Sequence, residues 1–192
     1  MNAILLIVVQ FLYYLPLNDG VSALLHGSYD EDETKTIGKI APEFSLEDLQ
    51  GSTLDLSDLR GNYVVIHIAT TWCPFCNAEA PYLEELSQQY TDKNVRVLII
   101  DVKEPRDLVQ SKLQDRFNFS FPVLLDLDGS VAARYAPSDV LPDLARDEVM
   151  LASNLLIDPE GKIQFLSLLD SKNFDAKLIN LKKRLDELLG KE

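Results

Sequence analysis

Cys73 and Cys76 are the only cysteines in the 192 residues, and they stand three positions apart in Thr71-Trp72-Cys73-Pro74-Phe75-Cys76. Residues three apart share one face of a helix, so two such sulfurs can come within disulfide range. The N-terminal cysteine of the pair then sits at the start of the helix. Free backbone N–H groups and the helix dipole favour its thiolate there. The thiolate is the nucleophile of thiol–disulfide exchange, which assigns attack to Cys73. Cys76, one turn further in and more buried, is placed to resolve a mixed disulfide. Pro74 suits a first-turn position, where its missing N–H costs little. The chemistry is two-electron exchange with no bound cofactor. Structural zinc would need two more ligands, and the remaining candidates are His26 and His67; no metal is expected.

A strand before the cysteines and a helix after them must hold this geometry. Residues 63–69 and 95–100 are nearly continuous apolar runs, suited to central strands covered on both faces. Residues 74–90 between them carry Ala78, Leu83, Leu86 and Tyr90 among polar positions, a helical pattern that Pro81 should kink. Strand–helix–strand implies a right-handed crossover and a parallel pair. Alternation at Phe44, Leu46, Leu54 and Leu56 around Gly51 predicts an N-terminal hairpin. A helix is predicted over 106–117 and a short strand over 122–125. Two further strands, 155–157 and 163–166, are joined by Asp158-Pro159-Glu160-Gly161. Leu178, Leu181, Leu185 and Leu188 form a core-facing stripe on a closing helix predicted over 174–189. The fold class is α/β, a mixed central sheet with helices on both faces.

Composition narrows the function. The chain is 46% hydrophobic and 26% charged, with 31 acidic and 18 basic residues and a net charge of −13. That is globular, neither disordered nor polytopic, and a surface this acidic repels phosphate backbones, which argues against nucleic-acid binding. Residues 3–17 are mostly apolar and short for a membrane span. With Val21-Ser22-Ala23 they predict a signal peptide over 1–23, cleaved near Ala23 or kept as an N-terminal anchor. No Lys or Arg precedes that run, and no Cys stands directly after it to carry a lipid. Residues 24–37, with Asp30-Glu31-Asp32-Glu33, read as a solvated acidic linker. The globular domain is expected over 38–192, exported to the periplasm or another extracytoplasmic space, as a monomer.

Val64 to Cys76 resembles the active-site segment of the thioredoxin superfamily, and Pro81 matches that family's helix-kinking proline. Ala41-Pro42-Glu43-Phe44-Ser45-Leu46, Leu59-Arg60-Gly61 and Leu156-Ile157-Asp158-Pro159-Glu160-Gly161 are similar to the TlpA/ResA-type thiol-disulfide oxidoreductases. The resemblance covers about 38–190. It implies a thioredoxin-like fold with an added N-terminal β-hairpin. It also implies reduction of protein disulfides outside the cytoplasm, with electrons from an upstream thiol donor. By the same resemblance, Trp72 packs beside the disulfide and shapes partner docking. Glu79 takes or gives the proton of Cys76. His67 occupies the place of thioredoxin's buried acid beneath the cysteines, where a neutral imidazole could shuttle a proton. The family's cis-proline, six residues before the aspartate of its Ile-Asp turn, is replaced by Ala152. A segment at 136–150 exceeds the family's usual link and reads as an acidic surface insertion near the active-site rim.

Two rival functions share parts of this pattern. A peroxiredoxin-like peroxidase places Thr or Ser three residues before its reactive cysteine, as Thr70 does. It also places proline seven before it, where Ile66 stands, and in many members an arginine at the position of Ala152. A Sco-like copper-binding assembly factor uses C-x-x-x-C and a distant histidine, and no histidine follows His67.

Overall fold

A computed structural model describes residues 36–190. The two apolar runs become β3 (Tyr63–Ala69) and β4 (Val95–Val102), paired in parallel with Tyr63 opposite Val95 and Ala69 opposite Asp101. Both are buried along nearly their whole length, which explains their unbroken apolar character. Five further strands complete one sheet: β1 (Ser45–Asp48), β2 (Thr53–Asp55), β5 (Val123–Asp126), β6 (Ser153–Ile157) and β7 (Ile163–Ser167). Their order is β2-β1-β5-β4-β3-β6-β7, with β5 parallel to β4 and the outer pairings antiparallel. The predicted β1–β2 hairpin adds to the far edge through Glu47 opposite Leu125.

Strand periodicity sorts the core into two layers. One face of the sheet, with Val65, Val97, Ile99 and Leu156, packs on α1 (Pro74–Gln89), α2 (106–117) and α5 (Ile179–Leu188). The other face, with Ile66, Ile68, Leu98 and Ile100, is covered by α3 (Ser130–Tyr135) and the turn Leu56–Leu59. Leu83 and Leu86 on α1 are fully buried, each contributing about 1.5–3 kcal/mol. Helix α1 continues through Pro81. The middle of α2, Gln110–Gln114, is wound as a π-helix.

Two expectations change. The last helix begins at Ile179 rather than near residue 174, because Leu178 takes a left-handed conformation (φ 57°) and a carboxylate oxygen of Asp175 accepts the Asn180 N–H at 2.8 Å. The insertion is also more than a surface loop. Val140, Val149 and Met150 are buried, and the segment includes α4 (Arg146–Val149). Arg146 donates to the carbonyls of Pro137, Val140 and Leu141, and Asp147 pairs with Lys103 at 2.7 Å. The expected signal peptide and nearly all of the acidic linker lie outside the described residues. From Gly38 onward the chain is tied to the sheet, its N–H donating to the Ile163 carbonyl at 2.7 Å.

Candidate active site

Strand β3 ends at Ala69, and the chain turns through Thr70, Thr71 and Trp72 into α1. A buried acid secures this turn: Glu104 accepts the backbone N–H of Thr71 and, at 2.7 Å, its hydroxyl. Asn77 holds the other side, its amide donating to the carbonyls of Thr71 (2.9 Å) and Cys73 (2.8 Å). Cys73 is thereby set as the N-cap of α1, with Pro74 in the first turn. The Cys73 Sγ accepts the Cys76 N–H at 3.2 Å, so the helix start supplies the donor that a thiolate needs. Both cysteines are free thiols and buried, whereas Trp72 beside them is 66% exposed.

The pair is electrically asymmetric. The Cys76 thiol, hydrogen-bonded to Cys73, pulls the Cys73 pKa down; burial opposes this, and the N–H groups of Cys76 and Phe75 add to the lowering, leaving it at about 6. Cys76 is driven far up by that same shared hydrogen bond, then by burial and by the Cys73 charge. One sulfur is ionised near neutral pH and its neighbour keeps its proton, which is the division between nucleophile and resolving thiol that exchange requires.

Glu79, three residues beyond Cys76, points inward and is only 2% exposed. Burial raises its pKa to about 8; Asn154 opposes, and the charges of Cys73 and Asp175 add to the rise. Its Oε1 accepts from the Asn154 side-chain amide at 2.9 Å, and Asn154 Oδ1 lies 2.9 Å from Nδ1 of His67. Burial holds His67 well below the usual imidazole range, at about 4, so the ring is neutral at physiological pH.

Ala152 immediately precedes β6 and belongs to the same buried cluster as Cys73 and Cys76. It has φ 59°, and its N–H donates to the Ile68 carbonyl at 2.9 Å. The structure thus brings Cys73, Cys76, Pro74, Trp72, Glu79, His67 and Ala152 to one end of the sheet.

Four further residues shape the site without a signal in the local sequence. Asn154 stands directly opposite His67 in the antiparallel β3–β6 register; correct strand alignment is the one route by which it was findable. Glu104 arrives from beyond β4. Phe174, in the link before α5, packs edge-on against Phe75, between the cysteines, at 4.9 Å between ring centres. Asp175 beside it acts on Glu79 through charge.

Fold and site together define a thioredoxin-like protein with a C-x-x-C dithiol at a helix N-terminus. The description "AhpC/TSA family" matches residues 37–166, more than half of the sequence. The chain belongs to that family. Among curated relatives, it is 32% identical over 140 residues to the thiol-disulfide oxidoreductase ResA of Bacillus cereus, covering 73% of this chain and 74% of the relative. The Geobacillus kaustophilus ResA is 34% identical over 136 residues, 71% of each chain. A secreted Mycobacterium tuberculosis disulfide oxidoreductase shares the fold with TM-score 0.60 and 22% identity, over 83% of this chain and 99% of that one. The thioredoxin domain of a Bacteroides vulgatus thiol-disulfide oxidoreductase does so with TM-score 0.56 and 23% identity, over 77% and 96%.

Proposed function

We propose that the protein is a thiol-disulfide oxidoreductase that reduces disulfides of other polypeptides outside the cytoplasm. The observation that carries this reading is the asymmetric pair: Cys73 lowered to about 6 at a helix N-terminus, and Cys76 held protonated beneath it. ResA-type relatives at above 30% identity support the same chemistry.

In the first step the Cys73 thiolate attacks one sulfur of a substrate disulfide. A new S–S bond forms, the substrate bond breaks, and the leaving thiolate takes a proton from solvent. The Cys73 charge has then gone, which removes one of the effects raising Glu79 and makes its carboxylate form easier to reach. Glu79 accepts the proton of Cys76. The Cys76 thiolate attacks Cys73, closing the Cys73–Cys76 disulfide and releasing the second substrate thiolate. Two electrons pass from dithiol to substrate, and an upstream thiol donor must return them. Exposed Trp72 beside the nucleophile supplies the apolar contact for a partner polypeptide. The apolar run at 3–17 supports export, and the chain works as a monomer with no bound cofactor or metal.

Insulin reduction coupled to a dithiol donor tests the activity. Wild type accelerates it, Cys73→Ser abolishes it, and Cys76→Ser traps a mixed disulfide; retained turnover in Cys73→Ser overturns the reading. The potential of the pair, followed by fluorescence of Trp72, the chain's only tryptophan, sets the direction. A value near thioredoxin's, roughly −270 mV, marks a reductase, whereas one near roughly −120 mV marks an oxidase.

A further inference from the structure

Three polar side chains lie buried beneath the cysteines: His67 from β3, Glu79 from α1 and Asn154 from β6, each at most 3% exposed. With Glu79 as the carboxylate, the form that takes the Cys76 proton and can only accept, the order of their hydrogen bonds is set by chemistry. The amide of Asn154 donates to Glu79 Oε1, so its Oδ1 is the atom left for His67. That oxygen can only accept. His67 therefore carries its single proton on Nδ1, and a neutral ring at this position is what burial enforces. Glu79 Oε2, 3.5 Å from the same His67 nitrogen, takes no hydrogen bond. The carboxyl thus has one oxygen committed and one open. His67 and Asn154 are direct cross-strand partners, so two rigid backbones fix the arrangement.

A buried polar chain of this kind is costly unless every link is satisfied, and apolar residues would fill the same space without it. We propose that Asn154, oriented by His67, is a positioning residue for the resolving step: it holds the Glu79 carboxyl in one orientation and sets the pH at which Glu79 takes the proton of Cys76. This rests on the dithiol reading above. The titratable groups acting on Glu79 are Cys73 and Cys76 from its own helix, His67 from β3, and Asp175 from the link before α5. In this arrangement His67 orients the relay and does not itself shuttle a proton.

The resolving step can be isolated with 5,5′-dithiobis(2-nitrobenzoate). One equivalent reacts with Cys73 and releases one coloured thiolate; attack by Cys76 on that mixed disulfide releases the second. Stopped-flow rates of the second release are taken across pH 5–10. Losing the Asn154 donor disfavours the carboxylate, so Asn154→Leu should move the midpoint up by about one to two pH units. Below the midpoint that is a tenfold or greater loss of rate at fixed pH. Glu79→Gln should flatten the profile, and Asn154→Leu added to it should do nothing more. His67→Asn, whose amide can still donate to Asn154, should keep the wild-type midpoint, whereas His67→Phe should shift it upward. These two also decide the matter if Asn154→Leu does not fold. An unmoved midpoint in Asn154→Leu overturns the proposal, as does a His67→Asn shift equal to that of His67→Phe. Absence of a second release from wild type is a different failure, that of the dithiol reading itself.

Discussion

The ring of Phe174 meets that of Phe75 edge-on, 4.9 Å apart, so the link before α5 closes over the residue between the two cysteines. This contact ties the C-terminal part of the chain to the start of α1. Edge-to-face pairs contribute about 0.5–1.5 kcal/mol beyond the area they bury. With both rings half-buried, Phe174→Ala should destabilise the reduced protein by about 1–2 kcal/mol in urea unfolding. It should also uncover the dithiol, raising the iodoacetamide rate of Cys73 severalfold at fixed pH. An unchanged alkylation rate would show that Phe174 does not limit access.

The lowered Cys73 pKa makes a separate prediction. Alkylation of Cys73 should rise with pH through a midpoint near 6. The Cys76 thiol is the first cause of that lowering, so Cys76→Ala should carry the midpoint upward toward the ordinary thiol range of about 8.5. Residual lowering in that variant would measure what the backbone N–H groups supply. A wild-type midpoint already near the ordinary value would remove the asymmetry on which the exchange mechanism depends.

Parts of this arrangement could be read along the chain and parts could not. The Cys73-Pro74-Phe75-Cys76 segment, the apolar strand before it and the Asp158–Gly161 turn are local patterns, and each occurs where expected. Glu79 was legible through the family resemblance, which places an acid three residues after the second cysteine; its burial against Asn154 was not. Asn154 was not, since its role depends on which residue lies across the sheet from His67. Glu104 and Phe174 reach the site from loops after β4 and β7, through contacts that no periodicity encodes. The start of α5 was misplaced for a related reason. The stripe of Leu178, Leu181, Leu185 and Leu188 suggests a helix reaching back to residue 174, but Leu178 is left-handed, Asp175 accepts the Asn180 N–H and Phe174 packs on Phe75.

Asp101, at the end of β4, is a buried acid outside the exchange chemistry. Burial and then the Glu104 charge raise its pKa to about 8, against about 3.9 for an unfolded aspartate. The folded state therefore holds a proton that the unfolded state releases between those values. Stability from this group is present below about pH 4 and is lost as pH rises toward 8. Glu79 acts in the same direction. Cys73 acts oppositely: its contribution is present above the unfolded thiol pKa and is lost as pH falls toward 6. Asp101→Asn should flatten the decline in stability between pH 4 and 8 and stabilise the protein at pH 8. Urea midpoints across that range check this, and a parallel, unflattened curve would refute it.

Ala152 stands where the resemblance leads one to expect proline, and its backbone explains why a simple reversion should fail. Its φ is 59°, whereas proline requires about −65°. Its N–H is bonded to the Ile68 carbonyl, a donor that proline lacks. Ala152→Pro should therefore destabilise the protein by about 3 kcal/mol or more, or force the loop into another path. Ala152→Gly should do the reverse, since a left-handed alanine costs about 1 kcal/mol that glycine does not. Because this loop lies in the same buried cluster as Cys73 and Cys76, both variants should be compared by urea unfolding and by insulin reduction. If Ala152→Pro folds with full stability and reduces insulin faster, the loop adopts the family's path at no cost, and the left-handed Ala152 is not a barrier to it.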